Sequence, residues 1–201
     1  TVVNASLARK SRFPTLSQLY SSKSGNVALA SETSVNATAS VSRPLGANVR
    51  IEAGGFLYDV SDMITRNGSS ATNLYLNVGK VRMAGLETVL EVTPLPGLTL
   101  RADYTLVDAK DRSDLRVTDD VTNVARHKAG LLASFRVPGP GTLLDLDALG
   151  LGKMYSSLPS VAYPTDPVKE VDGYLLFGAK ATQEVAKGIR VWVSGRNLLD
   201  E

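Results

Sequence analysis

Apolar and polar residues alternate with a period of two over most of this chain, the signature of strands with two unlike faces. Leu98, Leu100, Ala102, Tyr104 and Leu106 share one face, and Thr99, Arg101, Asp103 and Thr105 the other. His127, Ala129, Leu131, Ala133, Phe135 and Val137 alternate with Arg126, Lys128, Gly130, Ser134 and Arg136, with Leu132 the one apolar intruder on the polar side. Ile189, Val191 and Val193 alternate with Arg190, Trp192, Ser194 and Arg196. The phase slips twice. Over Lys80–Val92, Val81 and Met83 precede Gly85 while Leu86, Leu90 and Val92 follow it, which predicts a bulge at the glycine. Leu143–Tyr155 slips from Leu144 and Leu146 to Leu149 and Leu151. A glycine costs about 1 kcal/mol inside a helix, so Gly150 and Gly152 favour a strand there as well.

Short turn signals punctuate the pattern at Arg43–Asn48, Pro94–Gly97, Pro138–Gly141 and Ala186–Gly188. Each is flanked by about 10–13 strand-like residues, the reach of a tilted strand across a bilayer. Between them lie longer polar stretches near 20–33, 59–78, 109–124 and 155–172. Short turns thus alternate with long loops, one kind at each end of a sheet, the layout of an antiparallel up-and-down transmembrane β-barrel. The expected strands, about nine, run over 2–11, 34–43, 48–59, 80–92, 97–109, 125–137, 142–155, 173–183 and 189–198. The apolar face would meet lipid and the charged face a watery lumen. An odd tally with two free edges predicts an incomplete barrel, because unpaired backbone cannot face hydrocarbon. The soluble alternative, a β-sandwich binding module, uses strands about half as long.

Composition adds exclusions. With Lys+Arg 22 against Asp+Glu 20, the net charge of +2 is too small for an electrostatic nucleic-acid binder. Cysteine is absent and histidine occurs once, so thiolate sites, disulfides and all-histidine metal sites are excluded. Mean hydropathy is zero, the value expected when two opposed faces are averaged. No apolar run reaches the roughly 18 residues of a transmembrane helix, and no signal-peptide pattern opens the sequence.

Several segments resemble TonB-dependent outer-membrane receptors. Arg12-Phe13-Pro14-Thr15-Leu16-Ser17-Gln18-Leu19-Tyr20 resembles the family's FR-x-P-x-L-x-E-L-Y, with Gln18 in place of Glu. Gly25-Asn26 with Leu29 and Glu32 resembles GN-x-x-L-x-P-E, with Ser31 in place of Pro. Tyr58–Ile64 is similar to a strand end closing in D-x-I, and Asn77–Glu87 to N-x-G-K-A-R-x-x-G-V-E. Ala102–Ala109 resembles A-S-Y-T-Y-x-D-A, Arg126-His127-Lys128 the P-x-H-K strand start without its proline, and Gly195–Glu201 the N-L-F-D-K-x-Y near the family's C-terminus. The resemblance implies that residues 1–201 are the C-terminal part of a barrel of about 22 strands, with the plug domain and remaining strands absent. It implies a bacterial outer membrane location and active uptake of a siderophore, cobalamin or similar nutrient. The implied partners are membrane lipid, TonB acting through the absent N-terminal plug, and a small nutrient ligand, with no nucleic acid. A passive porin-like channel is the alternative membrane reading.

No catalytic constellation is present, so the chain is read as no enzyme, with no cofactor-binding, catalytic or metal residues assigned. His127 has no partner at motif spacing and reads as structural or interfacial. Asp108, Asp111, Asp114, Asp119 and Asp120 suit calcium by ligand type, but Lys110, Arg112 and Arg116 are interspersed and the EF-hand order is missing. Gly150-Leu151-Gly152-Lys153 lacks the spacing of a phosphate loop. Asn4, Asn36 and Asn67 sit in chance sequons. Arg101, Asp103, Lys128, Arg136, Arg190 and Arg196 are expected to point into the lumen, where they keep the wall wet. Tyr20, Tyr104, Tyr155 and Tyr174 are expected to form half an aromatic girdle at the long-loop end.

Overall fold

A computed structural model of the chain describes residues 1–67, 74–114, 116–159 and 164–199. Parts of three expected loops (68–73, 115 and 160–163), the side chain of Asn67, and Asp200 and Glu201 of the last motif lie outside the described residues. The main sheet has nine strands, all antiparallel: β1 (Val2–Arg12), β2 (Glu32–Pro44), β3 (Val49–Asn67), β4 (Leu74–Leu95), β5 (Leu98–Asp111), β6 (His127–Arg136), β7 (Leu143–Leu151), β10 (Tyr174–Ala186) and β11 (Ile189–Arg196), paired in that order. A one-turn helix α1 (Leu16–Tyr20) and a two-stranded ribbon of β8 (Met154–Ser157) and β9 (Lys169–Val171) sit in the connections. β1 and β11 are the sheet edges and do not pair with each other. The expected nine-stranded open sheet is therefore present.

The short turns close as their sequence demands. Gly46, Gly97, Gly139 and Gly188 have φ of 86°, 85°, 87° and 80°, a region costly for residues with a Cβ. Both phase slips resolve without the expected irregularity. The β3–β4 ladder is continuous through Gly85, which pairs with Phe56. Val81 and Met83 simply lie on the polar face with Gly85, and Ala84, Leu86, Thr88, Leu90 and Val92 on the other. β7 likewise pairs without interruption on both sides, so Leu149 and Leu151 lie on the polar face. It ends at Leu151 rather than at Tyr155. The bulge of this region is in β3, where the register shifts between Val60 and Met63 and Asp62 takes a φ of 56°. β3 and β4 also run well into the stretch expected as a loop over 59–78.

The sheet has almost no core. Among the described residues only Ile64 and Val81 are buried apolar side chains, while Leu7, Leu86, Leu131, Leu146 and Val193 stand out to the extent of 59–77%. A soluble sandwich of this length would bury an interior between two layers. This single layer leaves its apolar face uncovered, so it is not the two-layer sandwich of the alternative reading.

Register locates the edge of the apolar band. Arg9, Val35, Asp59, Arg82 and Lys110 are successive partners across β1 to β5, all on the apolar side. From that row towards the short turns the face becomes Leu7, Ala37, Leu57, Ala84 and, as its last charge, Asp108, then Ala5, Ala39, Gly55, Leu86 and Leu106. From Ala84 to Val92 the band has the length that about 9–11 tilted residues span across a bilayer. Everything beyond the Arg9–Lys110 row lies outside the membrane-spanning segments. On the opposite face, Arg50, Glu91, Arg101, Leu132, Asp147, Gly178 and Arg196 are successive partners from β3 to β11. The ladder puts Asp103, Lys128, Arg136 and Arg190 on this face too, as expected for the lumen.

Candidate functional site

The long connections gather at one end of the sheet and build an ordered rim. The β1–β2 connection is fixed first by its own sequence. Thr15 and Gln18 form a capping box: Gln18 N–H donates to Thr15 Oγ1 at 3.3 Å and Thr15 N–H to Gln18 Oε1 at 2.9 Å, satisfying two otherwise free donors. Gly25 follows where a Cβ would come within 2.5 Å of Ser21 N. The connection then reaches β4. Tyr75 N–H donates to Ser24 O at 3.0 Å, and Asn26 Nδ2 to Tyr75 O at 2.9 Å.

Asn77 is the centre of this clamp. Its Nδ2 donates to Ala30 O at 3.0 Å and to Asp62 O at 2.7 Å, while its Oδ1 accepts from Ala30 N–H at 2.8 Å. One amide thus holds the connection, the β3 bulge and β4 together. Two residues on, Gly79 leaves room for Met63, whose Cβ lies 2.8 Å from where a glycine Cβ would stand. Lys80 Nζ donates to Asp114 at 2.9 and 3.0 Å, and Arg82 is bidentate to Asp59 at 2.6 and 3.0 Å. Gly85 yields its side-chain space to the Phe56 ring, which stacks on Tyr58 at 4.9 Å.

Glu32 ties the same rim across three strands. Its carboxylate accepts from Arg12 Nε and Nη2 at 2.6 and 2.5 Å and from Ile64 N–H at 2.7 Å. The Arg12 hydrogen bonds hold this carboxyl below its ordinary pKa, against the opposing pull of burial, with the Ile64 amide adding to the lowering.

The acidic stretch is spent on ion pairs. Asp114 pairs with Lys80, Asp120 with Lys110 at 3.3 Å, and Asp119 with Arg116 and, at 4.0 Å, Arg112. Arg116 holds the Asp119 carboxyl below its ordinary pKa. Asp111 accepts from Ser113 N–H at 2.7 Å, and Asp108 stands on the apolar-side face of β5. Among the described residues no group of three or more His, Asp or Glu is placed to hold a metal.

β5 runs on past the start of β6, whose His127 pairs with Leu106. The gap in the wall is covered by the 112–126 connection and the β8–β9 ribbon. Thr122 bridges to Tyr155, and Gly152 N–H donates to His127 O at 2.8 Å. A cavity of about 390 Å³ remains, lined among others by Lys110, Arg126, His127, Lys153, Tyr155 and Glu170. His127 Nδ1 lies 2.6 Å from the Tyr104 hydroxyl. The Gly150–Lys153 stretch is a strand end and turn. The girdle expectation is corrected: of the four tyrosines only Tyr104 lies on the apolar face of the sheet. Tyr174 pairs with Leu151 on the polar face, Tyr155 is in the ribbon and Tyr20 on α1. Asn4 and Asn36 sit on the polar faces of β1 and β2.

An antiparallel, single-layer wall with an apolar band on one face, charge on the other and all long connections at one end has the build of a segment of a membrane β-barrel. Its sequence matches the family TonB dependent receptor-like, beta-barrel, over residues 1–198, so the chain belongs to that family. Its fold is similar to three solved structures. A mutant ferric enterobactin receptor (PfeA) from Pseudomonas aeruginosa in complex with enterobactin is 18% identical, with a TM-score of 0.78, 99% of this chain covered and 33% of that one. The copper transporter OprC is 17% identical with a TM-score of 0.73, and the FrpB iron transporter from Neisseria meningitidis 15% with 0.70; each match covers 99% of this chain and 32% of the other. The chain thus spans about a third of the length of these proteins. No curated protein sequence matches.

The clamp residues were present in the motifs that carried the resemblance, but their role was not. D-x-I is the bulge and the amide that binds Glu32; N-x-G-K is the clamp on the connection. Sequence reasoning missed α1, although T-x-x-Q before an apolar pair is a capping-box signal.

Proposed function

We propose that this chain is part of the barrel of an outer-membrane receptor that takes up a scarce metal chelate of the ferric siderophore class. The observation that carries the reading is the rim: all long connections lie at one end and are held by a built clamp, as a recognition surface on a rigid scaffold requires. Nutrient contacts come from the long connections and the strand ends that carry them, over 13–31, 59–78, 109–124 and 155–172. The neighbours' names favour a metal chelate over cobalamin, since they speak of enterobactin, iron and copper. A plug domain elsewhere in the polypeptide would fill the charged lumen and couple the barrel to TonB. Residues 1–201 supply wall and rim, and no chemistry beyond binding is asked of them.

The test is uptake of iron-labelled siderophores by cells expressing the complete reading frame as their only such receptor, with and without TonB. Accumulation that disappears without TonB is expected. TonB-independent passage scaling with solute size would favour the porin-like alternative and overturn the reading.

A further inference from the structure

β5 outruns the strand beside it. The β5–β6 ladder ends at Leu106 and His127, while β5 continues to Asp111. Past that point the neighbour of β5 is the 112–126 connection, which meets the strand edge in two places. Val107 N–H donates to Arg126 O at 2.9 Å, and Asp111 N–H to Asp119 O at 2.8 Å. The backbone of an antiparallel strand turns to the same neighbour at every second residue. Ala109 N–H therefore faces the same way from between these two bonds, and no acceptor meets it among the described residues. The connection bows away there, and the cavity of about 390 Å³ opens at Ala109. That size suits a small molecule. The charges that line it form two pairs and a remainder. Lys110 meets Asp120 at 3.3 Å, and Lys153 meets Glu170 at 3.4 Å. Asp108 and Arg126 have no ion pair among the described residues. Asp108 stands on the apolar-side face, and Arg126, opposite Val107, on the polar-side face. Val107, Val121, Val124 and Met154 add apolar lining.

We propose that this gap in the wall binds a small monocarboxylate with an apolar body. The Arg126 guanidinium takes the carboxylate, the Ala109 N–H is a further donor, and the valines and Met154 take the body. The planar fork of a guanidinium matches the two oxygens of a carboxylate. Among the described residues Arg126 is the one lysine or arginine of this lining that no carboxylate of the chain already holds. A backbone N–H left open at a strand edge needs an acceptor, and a bound anion supplies one. The two lysines limit the charge of the ligand, since a second anionic group would have to displace Asp120 or Glu170. The apolar lining in turn gives a bare inorganic anion nothing to pack against. The site lies in the plane of the wall, and its occupation requires neither the nutrient nor TonB, so it does not rest on the function proposed above.

The complete receptor in detergent is titrated with para-fluorobenzoate and followed by fluorine NMR line broadening. Saturable binding to the wild type is expected. Arg126→Gln is expected to weaken it about ten-fold or more, as on losing a hydrogen bond between charged groups. Lys128→Gln removes the same charge from the polar face of β6 and is expected to leave binding unchanged. Val124→Trp fills the apolar part and is expected to abolish it. Para-fluorobenzamide, similar in shape but neutral, and inorganic phosphate, charged but without the body, are expected to compete poorly against the probe. No saturable binding, equal affinity in wild type and Arg126→Gln, equal loss in Lys128→Gln and Arg126→Gln, or unchanged binding in Val124→Trp overturns the proposal. So does displacement of the probe by the amide or by phosphate as readily as by unlabelled benzoate. If Arg126→Gln fails the heat-mobility test for a folded barrel, Arg126→Lys decides, since it keeps the charge and loses the fork; unchanged affinity then sinks the idea.

Discussion

Glu32 concentrates three hydrogen bonds on one largely buried carboxylate, and its partners belong to β1 and β3. Replacing it by glutamine keeps the volume but removes the charge that both the guanidinium and the amide address. A buried polar group left unmatched costs about 1–3 kcal/mol, so Glu32→Gln is expected to speed hydrogen exchange at the Ile64 amide. The pH dependence follows from the lowered carboxyl pKa. Its stabilisation is fully present above the ordinary carboxylate value of the unfolded chain and is lost as pH falls through the depressed folded value. Thermal melts of wild type and variant should therefore differ at neutral pH and converge in strong acid; a gap that widens on acidification would contradict this account. Gly85 tests packing. An added Cβ would lie 2.3 Å from Leu106 O and 2.4 Å from Phe56 Cζ, whereas at Gly55 the nearest atom is 3.5 Å away. Gly85→Ala should cost about 1–3 kcal/mol by overpacking and Gly55→Ala little, as measured by midpoint of urea unfolding in lipid.

At the scale of elements, strand existence was readable because one face had to be apolar along its whole bilayer span. Arg101, Asp103 and Lys128 could be assigned to the lumen from alternation alone. The reading failed where the lumen face turned apolar: Val81, Met83, Leu149 and Leu151 mimic a phase slip, since polar-side positions of a wall tolerate apolar residues that lipid-side positions do not return in kind. It also failed beyond the membrane, where β3 and β4 continue with no lipid to enforce alternation. The β1–β2 connection was legible as motif but not as structure, because its order depends on contacts with Tyr75 and Asn77, far along the chain. That dependence is testable. Asn77→Ala removes three side-chain hydrogen bonds at once. It should expose residues 15–31 to limited proteolysis in the folded receptor while leaving β5–β7 protected. Thr15→Ala, which removes only the cap, should cost about 1 kcal/mol and produce weaker cleavage. Equal resistance in Asn77→Ala and wild type would show that the clamp does not hold the connection.

On the whole-molecule scale, the pairing of charges differs between the two ends. Lys80, Arg82, Lys110, Arg116 and Lys153 each meet a carboxylate around or beyond the outer ionic row. Arg12–Glu32 joins them beyond that row on the polar face, whereas below the row the one ion pair of this face among the described residues is Arg50–Glu52, at 3.9 Å. Glu91, Arg101, Asp147 and Arg196 line up across the wall without such partners among the described residues, so this face calls for something polar or water to cover it. The edges are incomplete in a stronger sense. β1 and β11 each leave a row of backbone N–H and C=O groups unpaired on one side, and in hydrocarbon each such group costs several kcal/mol. Water-filled solvent on the lumen side gives no relief to groups in the plane of the wall. Residues 1–201 refolded alone in detergent are therefore expected to associate edge to edge into heterogeneous oligomers with β-type circular dichroism. Light scattering after size exclusion measures this directly. Supplying the preceding and following strands in the complete barrel should abolish the association, and a stable monomer of the isolated chain with slow amide exchange in β1 and β11 would mean that the edges find partners within it.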